Sequence, residues 1–291
     1  MKLGLTQPLN YRETAWNGLM YGLTLAAFAM LLWPLFTVFS NGFQALSLDF
    51  LITSPSDAGR SGGIAPILVS TLAIVLVSLI AALPLAFGVA VMLTEGFDPE
   101  GWPARLLRCS LDILAGIPSV VFGLFGLSFF CRQLGLGYSI LAGGLTLACM
   151  ILPTLARSIA FSLESAAYAH RSGGAALGLS RQSVLWHVLV PVALPGICAG
   201  IVLAMTRALA ETAVLLFTSG YADRMPESLL DSGRSISVHI YDLSTNVPGG
   251  SPNAYGSALA LLLLLAMLSF SVHAITRWMQ RRMTGTTTRS H

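Results

Sequence analysis

The stretch that decides the fold is RSGGAALGLSRQSVLWHVLVPVALPGICAGIVLAMTRALAE, residues Arg171 to Glu211. Its first part, up to Pro191, is a polar break between two apolar spans. Its second part is an apolar segment that carries Arg207 four residues before Glu211. A polar loop that leads directly into a membrane helix with charged residues indicates a segment that transmits a movement from the cytoplasm to a charged site in the membrane. Charges inside a membrane usually mark a functional path.

The composition places the whole chain in a membrane. Of its 291 residues, 55% are hydrophobic and 10% are charged, and the mean hydropathy is +0.75. Soluble proteins carry about 25% charged residues. No segment has the length and charge of an independent soluble domain, so we expect one membrane domain with short loops. No basic run interleaved with aromatic residues supports nucleic-acid binding.

Six apolar stretches are long enough to cross a bilayer, which takes about 20 residues. They are Asn17–Phe39, Ile64–Leu93, Cys109–Phe130, Tyr138–Phe161, Val192–Thr218 and Tyr255–Trp278. Prolines interrupt or open several of them, and such prolines often mark bends. We therefore predict an all-α membrane protein with six transmembrane helices. Residues 17–279 form its single domain, between a cytoplasmic segment at 1–16 and a cytoplasmic tail at 280–291.

The distribution of Lys and Arg predicts the orientation, because cytoplasmic loops carry an excess of both. With the N-terminus inside, four of the 16 Lys and Arg residues lie in outside loops and one lies within a span. The other eleven lie in inside segments: Lys2, Arg12, Arg105, Arg108, Arg157, Arg171, Arg181, Arg277, Arg281, Arg282 and Arg289. We expect a multi-pass protein of the cell membrane, the inner membrane where there are two, with both termini in the cytoplasm and in contact with lipid.

Two loops are long enough to have a function of their own. The cytoplasmic loop covers about residues 162–191, and the longest outside loop covers about residues 219–253. Within the outside loop, residues 228–243 have helix-like spacing of the apolar residues Leu229, Leu230, Ile236, Ile240 and Leu243. This segment is either a short helix across the outer face, where a soluble partner could dock, or an ordinary surface loop.

Arg207 and Glu211 are the charged residues that the span Val192–Thr218 carries inside the membrane. Each costs about 2.5 to 3.5 kcal/mol at the bilayer centre. Arg207 lies roughly 22 Å along the helix from Val192, at 1.5 Å per residue, which predicts the outer half of the bilayer. At four residues apart the two side chains can meet on one helical face, but Arg before Glu is the less favourable order.

This pair has a functional and a structural interpretation. In the functional one, Arg207 meets an anionic solute at a gate, and Glu211 holds the arginine in place or repels the anion from other routes. The planar fork of arginine suits a tetrahedral oxyanion. In the structural one, the pair fixes the packing of helices. We favour the functional interpretation because ionisable residues inside membranes most often line pathways.

The polar break, SGGAALGLSRQSVLWHV at residues 172–188, predicts a short helix, a turn at Gly178 and a second short helix before Pro191. Gly178 fits the C-terminal cap of the first helix and Ser180 fits the N-terminal cap of the second. The pair could lie on lipid, pack beneath its own spans, or dock into a groove of a soluble partner. Its apolar side consists of Leu177, Leu179, Val184 and Leu185.

Motifs for catalysis are absent from the sequence. It contains no GxxxxGK[ST] loop for ATP, no HExxH, no GxSxG and no cluster of His and Cys residues. We therefore expect no catalytic residue, no metal and no cofactor on this chain.

Two motifs resemble those of a known family. The A-L-G at 176–178, thirteen residues before Pro191, resembles the EAA loop of ABC-importer permeases. The run RALAETA at 207–213, with LLFTS at 215–219, is similar to a segment of phosphate-importer permeases, the A-type subunit above all. The stretches GGIAPILVSTL at 62–72 and ILAGIPSVVFGLFG at 113–126 agree with that subunit.

Two positions depart from the family pattern. Ser172-Gly173-Gly174 stands where Glu-Ala-Ala is expected, so the acidic residue of the loop is missing. This leaves Gly178 and its apolar neighbours as the core of any contact with an ATPase. Ala210 stands where glycine is usual, and alanine still permits close helix approach.

The resemblance implies the architecture of a type I ABC-importer permease, also called MetI-like. It implies a permease that moves inorganic phosphate delivered by an outside binding protein. The partners would be a second, C-type permease, two copies of a cytoplasmic ATPase that carries the ATP and Mg²⁺, and the phosphate-binding protein. The residues implied for the path are Arg207, Glu211 and Thr212. Those implied for contact with the ATPase are Arg171, Ala176, Leu177, Gly178, Leu179 and Pro191.

Two alternatives stay open at this point. The first is a permease for another oxyanion, such as sulfate, molybdate or a phosphonate. The second is a membrane scaffold or sensor that signals phosphate status without moving phosphate.

Overall fold

The chain is almost entirely helical over the residues that the structure describes. The computed structural model describes the backbone of residues 11–176 and 178–284, and the side chains of residues 16–168 and 178–279. Its helices are α1 Tyr11–Ala45, α2 Leu48–Ile52, α3 Ala65–Val91, α4 Trp102–Gly116, α5 Ser119–Gly126, α6 Ile140–Ala176, α7 Arg181–Val184, α8 Val190–Ala210, α9 Ala213–Thr218, α10 Ile236–Thr245 and α11 Ser251–Thr284.

Three of these helices continue as wider π-helical turns, and one small hairpin is present. The π-helical turns are Met92–Gly96 after α3, Leu127–Gln133 after α5 and Leu185–Leu189 after α7. The hairpin pairs β1 (Pro55–Ser56) with β2 (Ser61–Gly62) in antiparallel fashion around the 3-10 turn Asp57–Gly59.

The described helices give five to six candidate membrane spans, against the six predicted. Five helical segments are long and apolar enough to span a membrane, and there are six if α4 and α5 together form one span. The span predicted over 109–130 contains one of the prolines expected to mark bends, and there α4 and α5 meet at an angle of 95°. The cause lies in Pro118, which has no N–H for a helical hydrogen bond and keeps Ile117 in an extended conformation.

Helix α6 forms the centre of the bundle and packs against α3 on one side and α8 on the other. Its buried apolar residues recur every four positions, which gives one continuous apolar stripe for its neighbours. They are Leu147, Ile151, Leu155, Ile159 and Leu163, all fully buried. Small residues let α8 approach closely, since a Cβ on Gly196 or Gly200 would collide with Ser162 or Ser158 of α6.

Helix α1 lies at the edge of the bundle and packs against α11. A Cβ on Gly42 would lie 2.7 Å from the Tyr255 carbonyl oxygen, so glycine permits this contact. The apolar residues of α1, including Trp33 at 70% and Phe36 at 68%, are otherwise exposed. Such a surface needs lipid or another apolar protein surface to cover it.

The long loop after α9 folds back into the bundle. Its only helix among the described residues, α10, begins at Ile236, so the helical interpretation holds for the second half of residues 228–243. Leu229 and Leu230 precede the helix and are exposed, whereas Ile236 and Val238 are fully buried. The Ile236 amide donates to Thr71 Oγ1 of α3 at 2.9 Å, which ties the start of α10 to the bundle.

Candidate functional site

The span that carries the charge pair is broken between α8 and α9. We expected one helix through Thr218, but α8 ends at Ala210 and Glu211 is extended, with φ −75° and ψ 123°. Helix α9 begins at Ala213. Arg207 and Glu211 therefore do not share a regular helical face, and that part of the prediction is wrong. The residues at the break have no Pro or Gly, so contacts with other elements impose it.

The freed backbone groups at this break find partners, as they must within a membrane. The Glu211 carbonyl oxygen accepts a hydrogen bond from Ser237 Oγ of α10 at 2.7 Å. The Glu211 amide reaches the Ala208 carbonyl at 3.4 Å, and the Thr212 carbonyl accepts from the Leu216 amide at 2.9 Å. Thr212, predicted to line a path, is the N-cap residue of α9. The Ser237 hydroxyl of the loop helix α10 thus satisfies a carbonyl that the break leaves open.

A second break lies directly beside the first. Helix α5 begins at Ser119, immediately after Pro118, and the Ser119 side chain lies beside the Glu211 carboxylate. The break between α4 and α5 therefore meets the break between α8 and α9. Broken spans that meet inside a membrane are typical of binding sites in transporters, because exposed backbone at that depth needs a cavity or protein around it.

Helices α5 and α9 leave this point side by side and in the same direction. Ser119 lies next to Glu211, and a Cβ on Gly123 would be 3.3 Å from Val214 Cα and 2.9 Å from Phe217. Both helices therefore begin at the same end. The ends of α4 and α8 lie at the same place as these two helix starts, so the partial charges of the four helix ends oppose one another and the charged side chains decide the preference for a solute.

Arg207 places a full positive charge beside the two breaks. Its side chain is half-buried, and Nη1 lies 3.4 Å from Thr154 Oγ1 of α6, immediately after Pro153. The charge of Arg207 acts on the Glu211 carboxylate. Within the described part of the chain this one long hydrogen bond leaves most of the five donors of the guanidinium available to another acceptor. The arrangement pairs one guanidinium with one carboxylate, and the free donors of the guanidinium suit transient binding of an oxyanion.

The predicted cap residues of the polar break are confirmed. Gly178 has φ +68°, a conformation that favours glycine, and nothing lies within 4 Å of a Cβ built there. The Ser180 side chain accepts a hydrogen bond from the Ser183 amide at 3.2 Å and begins α7. The first helix is not a separate short element, however, because α6 continues to Ala176.

The second helix of this segment also differs from the prediction. It does not stop before Pro191: α7 passes through the π-helical turn into α8, where Pro191 takes one of the first two positions. Proline has no N–H to donate, and the irregular hydrogen bonding of the adjacent π-helical turn accommodates it within this continuous helix. The segment is thus continuous with the fifth span, so a displacement of α7 reaches α8 without a flexible linker.

The apolar side of this segment packs against the end of α3. Trp186 stacks on Phe87 with 5.5 Å between ring centroids, and Val184 and Leu185 are buried. Leu179 remains 42% exposed and borders a cavity of about 580 Å³. Among the other residues expected to contact an ATPase, Leu177 lies outside the described residues, as do the side chains of Arg171 and Ala176.

Sequence reasoning missed the residues that other elements bring to the breaks. Ser119, Thr154 and Ser237 are ordinary hydroxyl residues in the sequence, and only the proline directly before Ser119 signals a break. The charge count also assigned Arg157 to an inside segment, whereas it lies within the span Ile140–Tyr168. Among the described residues, no group of three or more His, Cys, Asp or Glu is placed to hold a metal ion.

Comparison with known proteins agrees with this geometry. Residues 82–285 match the family described as binding-protein-dependent transport system inner membrane component. The chain belongs to this family. The permease is 30% identical over 274 residues to a probable ABC transporter permease protein, YqgI, of Bacillus subtilis, covering 89% of this chain and 92% of that protein.

Two further proteins are similar to the permease. The phosphate transport system permease protein PstA of Mycobacterium leprae is 30% identical over 298 residues, which cover 98% of this chain and 96% of that one. An inward-facing structure of the MetNI methionine ABC transporter superposes with a TM-score of 0.60 at 17% identity, over 74% of this chain and 95% of that chain. The likeness confirms the MetI-like architecture.

Proposed function

We propose that the permease is the A-type subunit of an ATP-driven importer and moves inorganic phosphate across the cell membrane. The observation that carries the proposal is the meeting of two broken spans beside Arg207. The relatives named as phosphate transport permeases support the choice of anion. The guanidinium of Arg207 is the group that meets the phosphate, while Glu211 and Thr212 shape the break around it.

The path is provided by this chain and the energy by its partners. A second, C-type permease completes the path, and an outside binding protein delivers phosphate. Two copies of a cytoplasmic ATPase hold the ATP and Mg²⁺, so this chain needs no cofactor and catalyses no reaction. Both termini lie in the cytoplasm, which places the bend at Gly178 on the side of the ATPase.

The contact with the ATPase is formed by the segment that contains Arg171, Ala176, Leu177, Gly178 and Leu179 and ends at Pro191. Helix α7 runs into α8 through one π-helical turn, and α8 ends at the break. A displacement of this segment by the ATPase therefore moves the end of α8 that carries Arg207. The stacking of Trp186 on Phe87 makes α3 move with it.

The test is uptake of radiolabelled phosphate into vesicles that contain the permease, the C-type partner and the ATPase, with binding protein outside. We expect Arg207→Gln to lower the uptake rate about 10- to 100-fold, since a hydrogen bond to a charged group is worth about 1.5 to 3 kcal/mol. Arg207→Lys should retain part of the rate, and Arg60→Gln, on the exposed hairpin turn, should retain all of it.

The amount of ATPase that co-purifies with each variant separates transport from assembly. Normal uptake by Arg207→Gln would remove the assigned role of the arginine. Uptake of sulfate or molybdate in place of phosphate would indicate the other oxyanion permeases. An assembled complex that hydrolyses ATP and moves none of these anions would indicate a scaffold or sensor.

A further inference from the structure

Two ion pairs join α4 to α6 within the membrane-spanning part of the permease. Asp112 of α4 pairs with Arg157 of α6, and Arg108 pairs with Glu164 at 3.8 Å. None of the four side chains is buried in this chain: their exposed fractions are 65% for Asp112, 44% for Arg157, 43% for Arg108 and 49% for Glu164. Most of their hydrogen-bonding capacity therefore faces outward.

The depth of the pair Asp112–Arg157 makes lipid an unfavourable surrounding for it. Arg157 lies inside the span Ile140–Tyr168, 17 residues after its start and 11 before its end, whereas Glu164 of the other pair lies four residues before that end. An ionised side chain that faces hydrocarbon at such a depth is costly, and such residues instead face water-filled cavities or other protein. The open face of α4 and α6 therefore borders water or another subunit.

This face is continuous with the position of Arg207. Thr154, which accepts from Arg207, lies one turn before Arg157 on α6. At helical spacing the residues 154, 157, 161, 164 and 165 lie on one side of α6. The edge toward α4 carries the ion pairs. The edge toward α8 borders a hollow of about 500 Å³ whose polar lining is Ser158, Ser162 and Ser165.

We propose that Arg157 is a second anion site, on the cytoplasmic side of Arg207, and that Asp112 is the counter-ion that the anion displaces. The ligand is a tetrahedral oxyanion, inorganic phosphate under the proposed function on which this inference rests. An anion released by Arg207 next meets a guanidinium one helical turn beyond Thr154. Asp112 returns to Arg157 when the anion leaves toward the cytoplasm, so no bare charge remains at that depth.

The first arm of the test is a double-mutant cycle in the vesicle assay. Arg157→Gln should lower phosphate uptake about 10- to 100-fold, by loss of charged hydrogen bonds. The double variant Arg157→Gln/Asp112→Asn should be equally slow. A pair that only holds α4 against α6 behaves in the opposite way, because removing both charges of a pair disturbs a protein less than removing one. The same substitutions in the exposed pair Arg60–Asp57 serve as the control.

The second arm measures access of water to this face while Arg157 stays in place. Phe161 is 75% exposed beside Arg157. In a variant whose four native cysteines are replaced by Ala, Phe161→Cys in the assembled complex should react with a negatively charged, membrane-impermeant thiol reagent. Saturating inorganic phosphate should slow that reaction. A cysteine that does not react would show that the partner permease covers this face and would overturn the proposal.

The remaining outcomes separate this inference from the proposed function. Normal uptake by Arg157→Gln, or recovery of uptake in the double variant, would overturn the second site while Arg207→Gln still reports the first. Absence of phosphate uptake by the wild-type complex would overturn the proposed function itself. If the Arg157→Gln variant does not assemble with the partner subunits, the reaction of Phe161→Cys with the thiol reagent tests the second anion site.

Discussion

Two groups of ion-paired side chains in the permease differ in how far the protein encloses them. In the outer group, at the start of α10, Arg234 and Asp242 lie 3.3 Å apart and are 12% and 19% exposed. In the inner group, on α4 and α6, the paired side chains are 43% to 65% exposed. The outer group is enclosed by protein, whereas the inner one is open within the membrane. We infer that the first holds the structure and the second handles the transported anion.

The contacts of Arg234 show what an enclosed charge requires. Its Nε donates to the Tyr221 carbonyl at 3.1 Å, its guanidinium lies 5.9 Å above the Tyr221 ring, and Nη1 lies 3.4 Å from His239 Nδ1. Because a guanidinium can only donate, Nδ1 of His239 must accept, and the ring carries its proton on Nε2. Arg157 in the inner group and its ion-pair partner Asp112 are 44% and 65% exposed, so Arg157 can exchange partners more easily than the enclosed Arg234.

The largest effect is expected from Arg234→Ala. This substitution leaves Asp242 in the protein interior without its cation, and breaking a buried pair in this way costs about 3 to 5 kcal/mol. Denaturant unfolding in detergent micelles should show the loss. The control is Arg60→Ala, whose pair with Asp57 is exposed and worth about 0 to 1 kcal/mol. Equal stability of the two variants would remove the distinction between enclosed and open pairs.

The next effect concerns pH. His239 is buried, and burial, together with the positive charge of Arg234, lowers its pKa to about 4 in spite of Asp242 and Asp223. The unfolded chain, with a pKa near 6.5, takes up a proton first as the pH falls. Stability should therefore be fully present above pH 6.5 and decrease by about 3 kcal/mol toward pH 4.

His239→Gln tests this dependence, because glutamine keeps an acceptor for Arg234 but does not titrate. We expect its free energy of unfolding to vary less between pH 6.5 and pH 4 than that of the wild type. His187, an exposed residue of the π-helical turn after α7, provides the matched substitution. If His187→Gln flattens the pH profile as much as His239→Gln does, His239 is not the group responsible.

Local features of the fold were predictable from the sequence. The caps at Gly178 and Ser180 follow from the preferences of single residues for one backbone conformation. The bend at Pro118 follows from the lost N–H, although its size does not. The break after Ala210 was not predictable, because LAMTRALAETAVLLF contains good helix formers and no breaker. Ser237, 26 residues later in the chain, satisfies the opened backbone at that point.

The charged pairs of α4 and α6 were beyond prediction for the same reason. Asp112 and Arg157 are 45 residues apart, and neither the spacing nor the composition around them relates one to the other. Counting arginines by loop treated Arg157 as a marker of the cytoplasmic side. Helix α4, which meets α5 at a sharp angle, runs beside α6. Only that packing brings the two residues together.

The smallest expected effect tests how the outer group reaches the break. Ser237 lies in the first turn of α10, and its hydroxyl donates to the Glu211 carbonyl oxygen at 2.7 Å. Ser237→Ala leaves that carbonyl without its donor, which should cost about 1 to 3 kcal/mol of stability. Since the carbonyl belongs to the break beside Arg207, phosphate uptake should fall together with stability.

Ser244 on the same helix provides the control. Its hydroxyl donates to the Ile240 carbonyl at 2.7 Å within α10 and is exposed, so Ser244→Ala removes a hydroxyl of equal size without opening a buried carbonyl. Its stability should change by less than about 0.5 kcal/mol. A normal uptake rate in Ser237→Ala, with stability lowered as expected, would mean that α10 holds the break without affecting the path. A reduced rate would connect α10, which carries Asp242 of the outer group, to the path, because the hydrogen bond of Ser237 then fixes the backbone of Glu211 at the break beside Arg207.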